Sequence, residues 1–135
     1  MIVRVGGAAP YETRYGYSRV VIAGDRALTA GTTALGPVGV LHPGDAYAQA
    51  RSAFGIALDA LAGAGVPADR VVRTRMYVVD PSHADAVSRA HGEVFGTIRP
   101  VATLVVVAAL LDPAMLVEVE LEAYVGERSA PAGAS

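Results

Sequence analysis

The sequence predicts an α+β fold: a single mixed sheet carrying two helices on one face. Three observations predict it. The run Leu116–Val125 alternates, with Val117, Val119 and Leu121 on one side and Glu118, Glu120 and Glu122 on the other. That is the two-residue period of a strand with one apolar and one polar face. Two stretches, from Asp45 to about Ala62 and from Ser82 to Phe95, place apolar residues at helical spacing. Strand-like runs surround and separate them in the order β-ββ-α-β-α-ββ, with no repeat and no linker, so both helices are expected to close over one face of one sheet.

Ile2-Val3-Arg4-Val5, stopped by Gly6-Gly7, is expected to be an edge strand. Pro10–Tyr17 carries Tyr11, Tyr15 and Tyr17, a packing surface or a ligand wall. Arg19–Ala23 and Arg26–Gly31 form an antiparallel hairpin around the turn pair Gly24-Asp25. Ala30-Gly31-Thr32-Thr33 offers bare backbone N–H groups and hydroxyls that suit a small anion or carbonyl oxygen, or is a plain turn. Asp45 caps the first helix, whose stripe is Ala50, Phe54, Ala57, Leu58 and Leu61; Gly63 and Gly65 end it and Pro67 bars its resumption. Val71–Val79 is a strand with Arg73, Arg75 and Tyr77 on one face and Val72, Thr74, Met76 and Val78 on the other. Asp80-Pro81-Ser82 opens the second helix, striped by Ala86 or Val87, Ala90 and Val94 and ended by Gly96. Val101–Leu111 is apolar almost throughout, the pattern of a strand buried on both faces. Leu111-Asp112-Pro113 separates it from the alternating strand. Residues 1–126 make one domain, and the small-residue tail 127–135 is expected to be disordered.

Composition narrows the function. A chain of 135 residues buries roughly two thirds of its unfolded surface without needing staples. It has no Cys, which excludes disulfides, thiolate metal sites and a Cys nucleophile. His42, His83 and His91 have no ligand spacing, so no metal site is expected. His91 lies one turn after Val87, near Ser88, and either faces the end of a cleft or is simply packed. A net charge of −2 argues against a nucleic-acid partner, whose phosphates need a basic face. No run reaches the ~18 apolar residues of a membrane span, and the N-terminal stretch lacks the apolar core of a secretory signal. A cytoplasmic protein without membrane contact is expected. Hydrophobic residues reach 53%, more than one small core needs, and the two-sided apolar strand requires a cover. Copies of the chain in a closed cyclic assembly would supply it.

Several segments, in order, resemble the reactive-intermediate deaminase family (RidA, or YjgF) from about Tyr17 to Val125. They are Leu28-Thr29-Ala30-Gly31-Thr32 after the hairpin, Gly44-Asp45 followed by Ala48-Gln49-Ala50, Val71-Val72-Arg73-Thr74 with Tyr77-Val78-Val79-Asp80, Arg99-Pro100 before a Val-rich strand, and Leu116-Val117-Glu118-Val119-Glu120. The resemblance implies a fold like that of trimeric chorismate mutase: a homotrimer around a central barrel, with three small-molecule clefts at the subunit interfaces. It implies no metal or organic cofactor and hydrolysis of enamines and imines to a keto acid and ammonia. Position by position, it implies Tyr17 and Gly31, with Ala30 beside it, as cleft residues. It also implies Ser88 as a lining residue and Glu118 as the group that positions water or acts as acid and base. The family's carboxylate-binding Arg falls on Ala102, followed by Thr103, in Pro100-Val101-Ala102-Thr103. Alanine offers no bidentate fork, so the usual 2-imino acids are not expected as substrates. Arg99, three residues earlier, is not given that role.

Two functions follow. In one, Glu118 has a raised pKa and acts as general acid or base on a small imine, enamine or related electrophile without a carboxylate. In the other, the trimer binds a metabolite or serves a pathway without turnover. Ribonuclease activity, a third possibility known for some relatives of the family it resembles, is disfavoured by the acidic balance.

Overall fold

A computed structural model describes residues 1–7 and 9–126; the expected disordered tail, 127–135, lies outside the described residues. The elements are β1 (Ile2–Val5), α1 (Pro10–Tyr15), β2 (Val20–Ala23), β3 (Arg26–Thr29), β4 (Thr32–Thr33), β5 (Leu35–Gly36), β6 (Gly39–Val40), α2 (Ala46–Gly63), β7 (Val71–Val78), α3 (Ala84–Phe95), β8 (Val101–Val106) and β9 (Val117–Tyr124). The main sheet has the order β1-β2-β3-β9-β7-β8, with β4 also paired to β9, while β5 and β6 form a separate small hairpin. β7 and β8 run parallel, connected through α3, and the other pairs are antiparallel. The fold is therefore the expected α+β arrangement with one mixed sheet. To the expected elements it adds α1, β4 and the β5–β6 hairpin.

Local chemistry explains most boundaries. α1 starts at Pro10, whose missing N–H costs nothing in a first turn, carries Glu12 near its positive end, and closes at Gly16 with φ 80°. Six residues are too few to show a helical stripe, so the sequence pattern did not reveal it. Asp45 caps α2 by accepting from Ala48 N–H at 2.9 Å. α2 ends in a Schellman arrangement: Val66 N–H donates to Leu61 O and Gly65 N–H to Ala62 O, both at 2.9 Å. Gly63 is still helical; Gly65 makes the stop. Residues Pro81–His83 form a single 3-10 turn, with Asp80 accepting from Ser82 N–H at 2.8 Å. α3 therefore begins two residues later than expected.

The core lies between the sheet and the two long helices. Ala50, Ala53, Phe54, Ala57 and Leu61 of α2 and Val87, Ala90 and Phe95 of α3 are buried against Val117, Val119 and Leu121 of β9 and Thr74, Met76 and Val78 of β7. Leu58, Ala86 and Val94 pack at its margin. Phe54 and Phe95 meet edge to face with centroids 5.3 Å apart, the favoured aromatic geometry.

Two expectations are corrected. Val72 does not face the core: the register of β7 against β9 shifts between Val71 and Arg73, which turns Val71 inward (3% exposed) and leaves Val72 37% exposed. Within the chain, Val101–Leu111 is neither one long strand nor buried on both faces. β8 is an edge strand, with Val101, Val105 and Val106 exposed and Leu111 98% exposed. It stops at Val106 because its neighbour stops: β7 ends before Asp80-Pro81, and the last link is Val107 N–H to Val78 O at 2.8 Å.

Gln49 of α2 ties two loops to the core. It is 1% exposed, donates to His42 O at 3.3 Å and Ala114 O at 2.9 Å, and accepts from Leu116 N–H at 2.9 Å. Replacing it with Leu orphans those backbone groups, which costs about 1–3 kcal/mol for a buried group. Gln49→Leu is expected to lower the urea midpoint of the full chain without changing the slope of the transition. An unchanged midpoint would show that the two loops are held by other contacts.

Candidate active site

The face of the sheet away from the helices is built in rows across β9, β7 and β8. Glu118 stands opposite Tyr77, which stands beside Val105; Glu120 opposes Arg75 beside Thr103; Glu122 opposes Arg73 beside Val101. The rows differ in how their carboxylates are held. Glu122 pairs with Arg26 at 3.3 Å and Arg73 at 3.5 Å. Glu120 lies 3.9 Å from the Arg75 guanidinium and accepts a hydrogen bond from the Tyr77 hydroxyl. Glu118 makes no hydrogen bond or salt bridge among the described residues.

Glu118 is placed by a bulge. Leu28 opposes Glu122 and Thr32 opposes Val119, so four steps from β3 to β4 answer three steps on β9. The extra residue loosens the ladder at Ala30-Gly31, and the Thr29 hydroxyl accepts the Leu121 N–H at 3.0 Å in its place. The Glu118 carboxylate occupies the room a side chain at Gly31 would need: an added Cβ would lie 2.0 Å from Oε2. Gly31, Tyr77, Glu118 and Glu120 line a groove of about 270 Å³ with Val107, Ala109 and Leu110. Burial pushes the Glu118 pKa up, Glu120 adds to the rise, and Arg19 opposes it. The two carboxylates, alternate residues of one strand, are about 7 Å apart along the backbone, close enough for Glu120 to disfavour charge on Glu118.

The sequence-selected residues divide into two groups. Glu118 and Gly31 are brought together, with Ala30 adjacent in the bulge. Thr103 lies on the same sheet face, one row along and two strands over. Ala102 is in register with Thr74, whose side faces the helices, and Ser88 is exposed on α3. Both lie across the sheet from Glu118. Tyr17 is 42% exposed, and no hydrogen bond joins it to Glu118. His91 is packed on the helix side: its Nε2 lies 2.7 Å from Thr74 Oγ1, its ring contacts Phe54 and Phe95, and burial lowers its pKa. No group of His, Asp and Glu among the described residues is placed to hold a metal ion. Tyr77, Val107, Ala109 and Leu110 line the groove without having been singled out. Tyr77 shares a face with Arg73 and Arg75, a usable signal; the other three read as continuing strand.

Residues 7–125 match the family described as Endoribonuclease L-PSP. The chain belongs to that family, the YjgF/RidA proteins. An uncharacterized protein of Streptomyces coelicolor is 45% identical over 123 residues, spanning 91% of this chain and 92% of its own. The structure of a Mycobacterium tuberculosis member of the YjgF family is 41% identical and aligns over 93% of this chain and 100% of its own, with a TM-score of 0.83. A Pseudomonas aeruginosa protein of unknown function, 28% identical, aligns over 93% of each chain with a TM-score of 0.80. No helix among the described residues of this YjgF/RidA protein is long and apolar enough to cross a membrane.

The raised Glu118 pKa gives a pH signature with a definite sign. A carboxyl whose folded pKa exceeds its unfolded value binds more proton in the native state, so its contribution is full below the unfolded value and is lost as pH rises through the folded one. Glu118→Gln removes that loss. Relative to the parent, the variant is expected to gain stability as pH rises from about 4 to 7 in urea melts. A parent–variant difference independent of pH would mean that Glu118 titrates as a solvated side chain.

Proposed function

We propose that this protein is a cofactor-independent, cytoplasmic hydrolase of a small imine, enamine or related electrophile that lacks a carboxylate. The observation that carries the reading is the Glu118 carboxylate, unpaired among the described residues, pushed up in pKa and resting against Gly31 in a groove whose other walls are Tyr77, Glu120 and aliphatic side chains. A poised carboxyl with room beside it can take a proton from water as the oxygen attacks the imine carbon. It can give that proton to nitrogen, forming a carbinolamine, and then take the proton of the new hydroxyl and pass it to nitrogen as the C–N bond breaks and the carbonyl forms. The carbon gains oxygen and releases ammonia, no electrons change hands, and Glu118 ends as it began. No Arg or Lys among the described residues lines the groove, and Ala102 cannot clamp a carboxylate. Both features favour a neutral or cationic substrate over a 2-imino acid. The same missing clamp favours the second reading, a trimer that binds a metabolite or serves a pathway without turnover. The two carboxylates of the groove weigh against a phosphodiester, and so against the ribonuclease activity in the family's description and against a nucleic-acid partner.

Released ammonia is the readout. Simple imines and enamines without a carboxylate are expected to turn over faster than 2-imino acids, and Glu118→Gln to lose nearly all of that activity, since the amide keeps the shape but moves no proton. Ala102→Arg is expected to shift preference toward 2-imino acids. Binding of the same compounds with no ammonia release above buffer would establish the non-catalytic reading, and RNA cleavage abolished by Glu118→Gln would replace both.

The assembly we propose is a homotrimer. Val101, Val105 and Val106 leave an apolar edge strand open, and an unpaired edge of this kind needs a cover. The Gly31–Glu118 half and the Ser88–Ala102 half of the cleft lie on opposite sides of one chain's sheet, so they can face each other only across a subunit boundary. Light scattering is expected to give about three times the 13.8 kDa chain mass. Val105→Asp should dissociate it by burying an unpaired charge. A parent protein that runs as a monomer at micromolar concentration would overturn the assembly.

A further inference from the structure

Arg19 reaches the Glu118 site from outside the groove. It stands just before β2, and its backbone already joins two parts of the fold: Arg19 N–H donates to Val5 O at 3.0 Å, and Ala30 N–H donates to Arg19 O at 3.0 Å. Its guanidinium goes to the bulge as well, donating to Thr32 Oγ1 at 2.8 Å and Gly31 O at 3.4 Å. Thr32 Oγ1 donates onward to Ala30 O at 3.0 Å. The guanidinium thus grips the residues on both sides of the position where Glu118 rests.

The other end of the guanidinium is held too. Arg19 Nε lies 3.8 Å from Glu12 Oε2. Glu12 is 6% exposed, and its second oxygen accepts from Gly7 N–H at 2.7 Å. Oε2 is the buried side-chain oxygen without a hydrogen-bond partner among the described residues, so Arg19 is its compensation. A carboxylate sunk into a six-residue helix is expensive unless paired. This one is spent on a cation that reaches the bulge.

We propose that Arg19 is a positioning residue for Glu118: anchored by Glu12, it fixes the Ala30–Thr32 bulge so that Gly31 presents its bare backbone to the Glu118 carboxylate. This deepens the reading of Glu118 as the acid–base group and rests on it. The charge of Arg19 acts in the same direction as its grip. The groups around Glu118 are Glu120 on its own strand, which raises its pKa, Tyr77 on β7, which bonds to Glu120, Arg75, which pairs with Glu120, and Arg19. Arg19 is the cation that holds Glu118 toward its ionised form, the form a general base needs.

The test does not depend on turnover. In the full chain with ¹³C-labelled glutamate, the Glu118 carboxyl signal is identified by its loss in Glu118→Gln and followed against pH. Arg19→Gln is expected to raise its midpoint by about half a pH unit or more, and Arg19→Lys to recover part of that shift by restoring charge without the fork. Thr32→Val leaves the charge in place and removes the acceptor. It is expected to weaken the dependence of the Gly31 amide shift on Glu118 titration. Each variant is read only where its amide spectrum shows a folded chain; if Arg19→Gln does not fold, Arg19→Lys and Thr32→Val decide. Unchanged Glu118 midpoints and an unchanged Gly31 response would overturn the proposal, even with lowered thermal stability, because Arg19 would then be structural only. Glu118→Gln retaining full activity would instead sink the catalytic reading while leaving the positioning measurement intact.

Discussion

The arrangement depends on β9 keeping a strict alternation while pairing on both edges. It is flanked by β3 and β4 on one side and β7 on the other, so its backbone groups are committed laterally and its side chains can only point up or down. Val117, Val119, Leu121 and Ala123 are buried under the helices. A slip of one residue would send three carboxylates into Phe54 and Phe95. The apolar half of the pattern therefore fixes where the acidic half stands, and the position of Glu118 is inherited from the packing of Val117 and Val119.

Chemical difference among the three carboxylates comes from their neighbours. Glu122 and Glu120 face arginines across the ladder and are held as ion pairs near solvent, where such pairs add little stability. Glu118 faces a tyrosine whose hydroxyl is already given to Glu120, and its flank lies against the extra residue on the β3–β4 side of β9. Moving the same side chain two positions along the strand would make it another member of a charge row.

What the sequence made legible follows from pattern length. The alternation of β9, the stripe of α2 and the Asp45 cap are each repeated or self-contained signals, and the structure has them where they were expected. α1 is too short to repeat, and its effect is exerted through Glu12, a residue that looks solvated in sequence. The Val101–Leu111 run misled because an apolar stretch reads the same whether the cover comes from its own chain or another, and because nothing within it marks that β7 has run out at Val78. Glu118 and Gly31 were selected by resemblance; the contact between them, through an inserted residue 87 positions upstream of Glu118 (118 − 31), has no local signature. Arg19 could have been suspected only by knowing that Glu12 is buried.

The sheet order has a consequence for how the protein is made. β9 is the last strand among the described residues yet sits between β3 and β7, and its contact with Thr29 spans 92 residues. While the chain is still emerging from the ribosome, the N-terminal hairpin and the β7–α3–β8 unit can each form locally, but no strand yet joins them into one sheet. The sheet stays in two parts until β9 is released and slides into the gap between β3 and β7. Closure of the sheet thereby waits for β9, and the strand that completes the hydrophobic interior is the same one that delivers Glu118. A nascent chain cannot acquire the groove before it acquires its core.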